Sequence, residues 1–589
     1  MVQHGLTWPW NEAGIPHLRF SRPLRVTRPS ILARVQGLLE DGVIEPTEGP
    51  YHLNRLFEVP KKDSSTPRLV LDVSRLNRFV TPFRFTMTTV AQVRRTLTSG
   101  CFMASIDMKD AYWHVPIHRR YRPFLAFSAG GNSYQFRVLP FGLNIAPRIF
   151  SKMMHPVHVA LAQKGVNLLM YLDDWLVFAP SSEECAWMVE ETLSVGAEMG
   201  LLFNLPKSHL SPSTSRQWLG LVWDSTTETV SLSQVNQLKC RSKILRAIHS
   251  RTFTRRLWGS LVGSLNHAAS VVPLGRLRMR RLVMMGNRTF SDSDWDLLVP
   301  FPRRLRFLLR WWLSDGRLAS EDAWTPPRAS MTLFTDASDV GWGYQSSAGH
   351  QGSGLWTVEE RRLHINVKEL LVVYLALCRE PSLEKMAVHV FSDSTAAVHC
   401  VNKQGTVRSS RLLGATEVLL LEADRRDLIL RASHLAGTEN SWADALSRDS
   451  ARSIDWSLTV ECFRRLCEWA GTPQVDLFAS PTNHHLPQFL AESVETPTGG
   501  PDAFLTDWNR WEYLYLFPPP VAQTMLEVFR HLESFRGRVL LVAPRWEAQP
   551  WFPALLRRRP RSLPLTGEVL SHECSERFLT SLRLHAWSF

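Results

Sequence analysis

The stretch VNLLMYLDDWLVF (residues 166–178) places two adjacent carboxylates, Asp173 and Asp174, between two apolar runs. Runs of this length and branching are typical of strands, so the pattern predicts a hairpin with both acids at its tip. Neighbouring carboxylates repel each other and favour protonation unless cations hold them ionised, and such oxygen ligands suit magnesium or manganese. An ordinary polar turn is the alternative interpretation, because aspartate is common in turns.

A further acid, Asp107, ends an apolar strand in ASIDMKDAY (residues 104–112). A carboxylate in that position is costly to bury unless it is paired or bound to metal. If Asp107 faces the hairpin tip, three carboxylates can hold two divalent ions about 3.5 to 4 Å apart, as phosphoryl transfer requires. Tyr112 then lies beside the incoming sugar, where its ring excludes a 2′-hydroxyl, and a plain core aromatic is the alternative interpretation.

The chain before these motifs predicts an irregular leader over residues 1–25 and an amphipathic helix from Ser30 to Glu40. Two strands, at 57–63 and 68–72, follow with a polar turn between them. Lys61, Lys62 and Arg68 cluster on or beside this hairpin and can grip a triphosphate, lysine as a point charge and arginine as a fork. A solvated hairpin tip is the alternative interpretation.

A second group of acids begins at Met331. Asp336 and Asp393 each end an apolar strand, Glu369 lies near the start of a helix, and His434 and Asp444 stand ten positions apart across a loop. Four acids at the ends of strands and helices predict a second two-metal site. The intervening region from Ser231 to about Asp322 is helical in period and strongly basic, which suits a duplex backbone or a solvated face.

Composition limits the classes of function that fit the chain. Its 589 residues predict several domains, and the formal net charge of +13 favours an anionic, polyphosphate partner over a merely solvated surface. Eight cysteines without a CxxC pair support neither zinc nor a disulfide framework. No apolar run reaches the roughly 20 residues of a membrane span and no signal peptide is evident. We therefore expect a soluble, intracellular protein of the cytoplasm or nucleus without a membrane partner.

The first group of motifs resembles the palm motifs of reverse transcriptases. Over about residues 30–225 the matching stretches follow in the expected order: IDMKDAYWHVPI with Asp107, VLPFGLNIAP (Val138 to Pro147), YLDD (Tyr171 to Asp174), GLLFNLPKS with Lys207, and WLGLVW (Trp218 to Trp223). The resemblance implies that Asp107, Asp173 and Asp174 are the catalytic acids that bind two Mg²⁺ or Mn²⁺ ions, with the backbone carbonyl of Met108 as a further ligand.

The same resemblance assigns the residues that hold the nucleotide. It implies a sugar gate at Tyr112, a triphosphate grip at Lys61 and Arg68, and a basic residue near the nucleotide phosphates at Lys207. Phe141, with Gly142 beside it in the nucleotide-binding stretch, departs from the glutamine of retroviral enzymes. A phenyl ring packs against a base or sugar but cannot hydrogen-bond, so nucleotide selection is expected to differ in detail.

The second group of acids resembles ribonuclease H over about residues 330–450. The resemblance implies that Asp336, Glu369, Asp393 and Asp444 bind two divalent cations and that His434, on a mobile loop, assists proton transfer or product release. Residues 455–589 alternate strands and helices and resemble the adenine-methyltransferase-like tail of DIRS-type retrotransposon polyproteins. FPPP (Phe517 to Pro520) departs from the expected Asp/Asn-Pro-Pro-aromatic loop at both ends, so no methyl transfer is expected.

The predicted architecture is multidomain, α/β and α+β. It comprises a leader (1–25), right-hand polymerase fingers and palm (26–227), a helical thumb and connection (228–323), a linker (324–330), a ribonuclease H-like α/β domain (331–450) and the tail (455–589). The expected activity copies an RNA template from a DNA primer with deoxynucleoside triphosphates and degrades the RNA–DNA hybrid. The alternatives are a long-terminal-repeat element, disfavoured because no HH-CC integrase module follows, a domesticated non-catalytic binding protein, and a packaging protein.

Overall fold

A computed structural model describes most of the chain, and the chain divides into two compact units. The first unit holds Met1–Ser242, Ser270–Val272 and Asp315–Pro326, and the second holds Lys243–Ala269, Pro273–Ser314 and Pro327–Phe589. The described residues are 5–19, 28–59, 68–83, 85–290, 294–325, 327–348, 350–380, 383–437, 440, 443, 446–447, 457–480, 483–490, 503–520, 522–547, 549–567, 569–571 and 582–589.

Strands are distributed along the whole chain. They are β1 (Ile44–Pro46), β2 (Leu53–Val59), β3 (Arg68–Asp72), β4 (Phe102–Asp107), β5 (Ala126–Ala129), β6 (Asn132–Phe136), β7 (Leu168–Tyr171), β8 (Asp174–Ala179), β9 (His209–Ser213), β10 (Ser215–Trp218), β11 (Leu221–Asp224), β12 (Thr229–Leu232), β13 (Thr252–Phe253), β14 (Val299–Pro300), β15 (Glu321–Ala323), β16 (Met331–Ala337), β17 (Gly341–Ser346), β18 (Gln351–Leu355), β19 (Ala387–Ser392), β20 (Ile429–His434), β21 (Val475–Leu477), β22 (Phe489–Leu490), β23 (Tyr513–Leu516), β24 (Arg538–Pro544), β25 (Arg561–Pro564) and β26 (Leu584–Ser588).

Helices complete the framework, and the boundary between the two units falls within the fifth of them. They are α1 (Pro29–Glu40), α2 (Val90–Thr96), α3 (Ala146–Gln163), α4 (Ser182–Glu198), α5 (Gln234–His249), α6 (Arg255–Ala268), α7 (Gly275–Phe290), α8 (Arg303–Arg310), α9 (Val358–Arg361), α10 (Ile365–Arg379), α11 (Thr395–Lys403), α12 (Ser410–Arg425), α13 (Val460–Ala470), α14 (Ala522–Ser534) and α15 (Phe552–Arg557). No helix of the described residues combines the length and apolar content that a membrane span requires.

A four-stranded sheet in the order β7-β8-β4-β9 carries the first group of acids. The central strand β8 is apolar on both faces, since its consecutive residues Trp175, Leu176 and Val177 are all fully buried. Helix α4 covers the sheet and begins where the Ser181 hydroxyl accepts a hydrogen bond from the Glu184 backbone. Such caps satisfy backbone donors that a helix start leaves unpaired. The structure thus confirms the strand predicted to end at Asp107, which is β4, and the two strands predicted around Asp173 and Asp174, which are β7 and β8.

The leader has no helix or long strand over its described residues, but it is packed against the core of the first unit. Leu6 and Trp8 are buried, at 1% and 2% exposure. The ring of Trp10 stacks on Tyr121 with centroids 5.7 Å apart. Burying rings of this size contributes a large share of a local core, so these residues belong to the folded unit. The predicted helix that follows is confirmed as α1.

The region between the two groups of acids is helical over a shorter span than the sequence suggests. Ser231 lies in β12 and Asp322 in β15, and both strands belong to a sheet in the order β10-β11-β12-β15. Trp324, which the sequence places in a linker, is 1% exposed and its backbone donates to the Glu228 carbonyl over 2.9 Å. The apolar tryptophans of this sheet are missed by a search for helical period, because each strand is only three or four residues long.

In the second unit, α6 and α7 pack closely. Trp258 stacks on Phe290 with ring centroids 5.4 Å apart, and Gly286 leaves room for the indole, since a Cβ there would lie 1.9 Å from it. The next sheet has the order β18-β17-β16-β19-β20, in which β16, β19 and β20 are parallel. Helices α10, α11 and α12 complete this α/β domain, and its predicted strands at Met331 and Val388 are confirmed.

The tail is an α/β domain, as its alternating pattern predicts. Its sheet has the order β22-β21-β23-β24-β26-β25, and β26 runs antiparallel to both of its neighbours. The strands of this sheet are continuous apolar runs, which is typical of strands that are covered on both faces. Leu514, Leu541 and Val542 are accordingly fully buried. Its similarity to methyltransferases stays a prediction, as do the predicted domain boundaries.

Candidate active sites

The hairpin of β7 and β8 has a two-residue turn. Tyr171 and Asp174 face each other across it, Asp173 is in the turn, and Leu172 beside it adopts φ +54°. The indole N–H of the fully buried Trp175 donates to the Leu172 carbonyl over 2.9 Å, which fixes this unusual backbone. The sequence places both acids at the tip, whereas the structure places Asp173 in the turn and Asp174 in the first position of β8.

The strand β4 brings the third acid to the same place. It pairs with β8 in antiparallel register, so that Asp107 lies directly opposite Asp174. Directly opposed residues have Cα atoms about 4.5 to 5.5 Å apart. The Met108 backbone N–H also donates to the Asp173 carbonyl over 2.8 Å. The structure thus brings Asp107, Asp173 and Asp174 together on one edge of the sheet, and their catalytic roles stay predictions.

Burial and mutual repulsion disfavour ionisation of these acids. Burial, followed by the charges of Asp173 and Asp107, raises the pKa of Asp174 to about 7. Burial and Asp173 also raise the pKa of Asp107, against the opposing effect of Asn204 and Lys207. An all-oxygen group with this repulsion fits divalent cations, because a bound cation stabilises the ionised form of each carboxylate. The charge of Lys207 lowers the pKa of Asp107, so this lysine lies close to the same group of acids.

Two residues that sequence analysis missed hold Asp107 in place. The Asn204 backbone N–H donates to the Asp107 carbonyl over 2.7 Å, and the Asp107 N–H donates to the Ser208 hydroxyl over 3.0 Å. Both residues belong to the GLLFNLPKS stretch, in which Lys207 alone was assigned a role. The sequence signal for these residues is a small polar side chain on each side of Lys207. Such side chains in a loop that crosses the end of a strand can hydrogen-bond to backbone groups that would otherwise be unpaired.

An aromatic wall, formed by Tyr112, Phe141 and Phe150, lies beside the hairpin. The Tyr112 ring lies 5.0 Å from Phe141 and 5.8 Å from Phe150, measured between centroids. Burial, with the nearby Asp173 and Tyr171, raises the pKa of Tyr112 to about 12, so its hydroxyl stays protonated. The structure therefore brings together Tyr112, which the sequence assigns to the sugar gate, and Phe141, which it assigns to packing against the base or sugar.

Gly142 is required by the turn that presents Phe141. Its φ is +110°, and a Cβ at this position would lie 2.8 Å from the Leu71 carbonyl oxygen. Asn77 holds the same turn, because its amide donates to the Gly142 carbonyl over 2.9 Å and accepts from the Asn144 N–H. Glycine is the residue that adopts this backbone without strain.

The structure describes only part of the other residues that the sequence assigns to nucleotide binding. Arg68 is the first residue of β3, opposite Val59, and its side chain lies outside the description. Lys61 lies outside the described residues. Met108 has a buried side chain, so a role in metal binding falls to its backbone. The triphosphate grip stays a prediction.

The second group of acids converges more tightly. Asp336 lies in β16, Glu369 in α10, and Asp393 directly after β19. Strands β16 and β19 are parallel neighbours, so their carboxyl ends lie side by side, and α10 lies against them. One carboxylate oxygen from each acid lies within 4.8 Å of the other two. This donor set fits divalent cations that prefer oxygen ligands.

Electrostatic strain is greater in this cluster than at the hairpin. Burial, followed by the charges of Asp336 and Asp393, raises the pKa of Glu369 to about 9. The Ser392 hydroxyl and the Ala337 N–H donate to the Glu369 carboxylate over 3.2 and 3.3 Å. A serine that sequence analysis missed, Ser447, donates to Asp336 Oδ2 over 2.7 Å. These donors orient the acids but do not neutralise them.

His434 lies in a strand, which corrects the prediction of a mobile loop. It is the last residue of β20 and pairs in register with Ser392, next to Asp393. The pairing of β20 with β19 extends the strand because backbone hydrogen bonds do not require apolar side chains. The loop begins afterwards, and Gly437 passes Asp393 so closely that a Cβ would lie 3.3 Å from Asp393 Oδ2. Asp444, the fourth predicted acid, lies outside the described residues.

Part of the chain matches a known protein family. Residues 59–223 match the model of the family described as reverse transcriptase (RNA-dependent DNA polymerase). This part of the chain, which contains Asp107, Asp173 and Asp174, is therefore similar to reverse transcriptases.

Relatives of the chain are polyproteins of viruses and transposons. The enzymatic polyprotein of Carnation etched ring virus is 23% identical over 71% of this chain and 62% of its own length. The enzymatic polyprotein of Figwort mosaic virus is 23% identical over 72% of this chain and 62% of its own. The Pol polyprotein from transposon gypsy of Drosophila melanogaster is 27% identical over 32% of this chain and 18% of its own. The chain spans about three fifths of the first two relatives.

Solved structures of foamy viral protease-reverse transcriptase show a distant likeness. One, in complex with double-stranded DNA, covers 73% of this chain and 74% of its own at 19% identity and a TM-score of 0.47. Another, in complex with an RNA/DNA hybrid, covers 72% of this chain and 57% of its own at 18% identity and a TM-score of 0.45.

Proposed function

We propose that the chain is an RNA-directed DNA polymerase with a tethered ribonuclease H. One observation carries the polymerase assignment: within a domain that matches reverse transcriptases, Asp107 and Asp174 oppose each other on paired strands and Asp173 occupies the adjoining turn. Three carboxylates in this arrangement suit a pair of Mg²⁺ or Mn²⁺ ions.

Each residue near the hairpin has a distinct task. When bound, the cations lower the pKa of a primer 3′-hydroxyl and offset charge on the pyrophosphate that leaves. Asp107, Asp173 and Asp174 would hold these cations, and most of the rate would come from positioning and electrostatics. Tyr112 and Phe141 press against the sugar and exclude a 2′-hydroxyl. Lys207 lies beside Asp107 and attracts the phosphates of the deoxynucleoside triphosphate.

The nuclease assignment rests on Asp336, Glu369 and Asp393, whose oxygens lie within 4.8 Å of one another. These acids would hold divalent cations, which would supply the positive charge that brings a water molecule and a phosphate of the RNA strand together. Asp444 completes the set, and His434, adjacent to Asp393 at the strand end, moves a proton or releases the product. The hybrid that the polymerase makes is the substrate that the nuclease degrades.

The tail favours a DIRS-type retrotransposon as the source, although it lacks the residues for methyl transfer. Phe517 to Pro520 follow β23, where the acceptor loop is expected, and Phe517 is 3% exposed. A buried phenyl ring offers no oxygen to an acceptor amine. Calorimetry with S-adenosylmethionine is expected to give no binding to the full chain, and tight binding would overturn this part of the proposal.

Primer extension tests the polymerase assignment. Wild-type protein with primed homopolymer RNA, deoxynucleotides and magnesium is expected to give DNA product, and Asp173→Asn none. A chain that binds primed RNA without extending it would instead be the domesticated, non-catalytic binding protein that the sequence leaves as the alternative. Equal product from wild type and Asp173→Asn would also defeat the assignment.

A further inference from the structure

Residues 201–208 form a loop that carries Lys207 and runs along the end of β4, and we call it the Lys207 loop. The Lys109 N–H donates to the Leu202 carbonyl over 2.8 Å. Met108 pairs with the next residue of the loop in an isolated antiparallel bridge. The backbone of the loop is therefore held against the chain that leaves β4.

The ring of Phe203 fixes the inner side of the Lys207 loop. It lies edge to face with the Trp175 ring, with centroids 5.7 Å apart. Gly196 of α4 makes room for it, since a Cβ there would lie 2.4 Å from the phenyl ring. Trp175 also holds the Leu172 carbonyl of the hairpin turn. The loop and the hairpin turn therefore share a packing partner.

The His114 side chain reaches the Lys207 loop from the segment that carries Tyr112. Its Nε2 accepts a hydrogen bond from the Leu202 N–H over 3.0 Å, and its Nδ1 lies 3.1 Å from the Ala111 carbonyl oxygen. Nε2 accepts only when it carries no proton, so the ring is neutral and its Nδ1–H donates to Ala111. Burial lowers the pKa of His114, which favours this neutral form.

Leu202 is held by its backbone and not by its side chain, which is 58% exposed. Its carbonyl accepts from Lys109 and its N–H donates to His114. Segments with few buried apolar contacts open at a low cost in free energy. Loss of the bond to His114 is therefore expected to loosen this end of the Lys207 loop.

We propose that His114 is a positioning residue for the incoming deoxynucleotide, because it keeps the segment of Tyr112 and the Lys207 loop at a fixed separation. This proposal rests on the proposed polymerase function, in which Tyr112 selects the sugar and Lys207 attracts the phosphates. Sugar and phosphates belong to one molecule, so a nucleotide meets both residues only when they are correctly spaced. Groups that are held in place beforehand bind a ligand without the cost of ordering them.

Steady-state primer extension with His114→Leu tests the proposal, since leucine has no acceptor atom. We expect the KM for the deoxynucleotide to rise about fivefold, as loss of one hydrogen bond typically causes, and kcat to stay near the wild-type value. His114→Gln is expected to restore most of the affinity, because its amide oxygen can accept in place of Nε2. An unchanged KM in His114→Leu would overturn the proposal.

A double-mutant cycle with Lys207→Gln determines whether His114 acts through the loop. Residues that act through one another have effects that are not additive. Once Lys207 is replaced, His114→Leu is therefore expected to raise the KM by less than about twofold. A rise of about fivefold in both backgrounds would show that His114 acts independently of Lys207 and would contradict the proposal.

His118→Leu is the matched control. The Nδ1 of His118 also accepts a backbone N–H, that of Arg120 over 3.2 Å, but this bond lies within its own turn. The KM of this variant is expected to equal that of wild type. A rise as large as that of His114→Leu would show that the effect is not specific to the Lys207 loop, and the proposal would fail.

Amide hydrogen exchange separates this proposal from the proposed function, because it requires no activity. The peptide with residues 201–208 is expected to exchange faster in His114→Leu than in wild type or His118→Leu. If wild type extends no primer with magnesium, the polymerase function fails, while faster exchange still supports the link between His114 and the loop. If wild type extends the primer and His114→Leu matches it in KM and exchange, the positioning role alone is refuted.

Discussion

The two groups of acids use the same side chains in different surroundings. At the hairpin, Asp173 is exposed in a turn, and Asp107 and Asp174 are held by strand pairing. In the second group, which we call the nuclease-like site after its proposed function, Asp336 and Glu369 are 3% and 2% exposed. The consequence is a pKa of about 9 for Glu369, compared with about 7 for Asp174.

Each group holds three described acids, and burial is the first cause of the raised pKa in both Glu369 and Asp174. We therefore expect burial to determine how strongly protons compete with a cation. Each pKa unit corresponds to about 1.4 kcal/mol between the protonation states. Ionising Glu369 near neutral pH without a cation is therefore more costly than ionising Asp174. We expect the nuclease-like site to depend more steeply on pH and on metal than the hairpin site.

The largest effect is expected at an acid that belongs to neither group. Asp476 in β21 is 3% exposed, and burial raises its pKa to about 7 although the His485 N–H donates to it. The folded-state pKa lies above the unfolded one, so wild-type stability is present at low pH and is lost as pH rises toward 7. Asp476→Asn has no titrating group at this position, so it does not lose stability as the pH rises. The difference between wild type and this variant therefore measures the effect of burial on the pKa of Asp476.

Between pH 5 and pH 8, Asp476→Asn is expected to gain about 3 kcal/mol on wild type in the free energy of unfolding. Urea unfolding of the full chain, with proteolysis of the tail as the readout, measures the difference at each pH. A constant difference at both pH values would show that burial alone does not shift this acid, and would weaken the comparison of the two groups.

The second prediction concerns the aromatic wall beside the hairpin. Tyr112→Ala removes the ring that packs on Phe141 and opens space for a 2′-hydroxyl. Discrimination between deoxynucleotides and ribonucleotides is expected to fall roughly a hundredfold, while cleavage of the hybrid is unchanged. Steady-state incorporation of both nucleotides measures the ratio. Tyr112→Phe keeps the ring and serves as the control, and an unchanged ratio in Tyr112→Ala would show that the tyrosine is a core residue.

The third prediction tests the difference in proton competition directly. Calorimetric titration with Mn²⁺ follows the hairpin site in Asp336→Asn and the nuclease-like site in Asp173→Asn. Below its pKa an acid must lose a proton to bind metal, so the apparent affinity falls by up to about tenfold for each pH unit downward. The hairpin site is expected to level off near pH 7, and the nuclease-like site to continue rising toward pH 9. Two curves that level off together would contradict the comparison.

The smallest effect is expected from the hydrogen bond of Ser447. Its hydroxyl orients Asp336, and donors of this kind typically affect metal affinity by about tenfold. Ser447→Ala is therefore expected to weaken Mn²⁺ binding and hybrid cleavage by about that factor, with DNA synthesis in the same protein as the internal control. Equal losses in both activities would indicate general destabilisation.

The acids at strand ends could be predicted from the sequence because their signal is local. An apolar run that ends in a carboxylate marks β4, β16 and β19, and the resemblance to known motifs gives their order. Whether Asp107 meets the hairpin depends on which strands pair and in what register. The sequence does not determine this pairing, so it predicts the three-acid site only on the condition that Asp107 faces the tip. The structure meets that condition through the pairing of β4 with β8.

Features that depend on distant contacts could not be predicted. His434 belongs to a strand in which half of the side chains are exposed. The sequence ILRASH shows no apolar alternation, and the position of His434 comes from the pairing of its strand with β19. Ser447 acts on an acid more than a hundred residues away. Trp324 resembles a linker residue beside two prolines, yet it packs near Trp223 with ring centroids 6.2 Å apart.

A crossed assay of synthesis and hybrid cleavage tests the central claim, that the chain holds two separate carboxylate sites with two separate reactions. Wild type, Asp107→Asn and Asp336→Asn are each given primed RNA with deoxynucleotides and a preformed hybrid, both with magnesium. We predict that Asp107→Asn loses synthesis and retains cleavage, and that Asp336→Asn loses cleavage and retains synthesis. Loss of both activities in both folded variants, or of neither in either, would contradict the account.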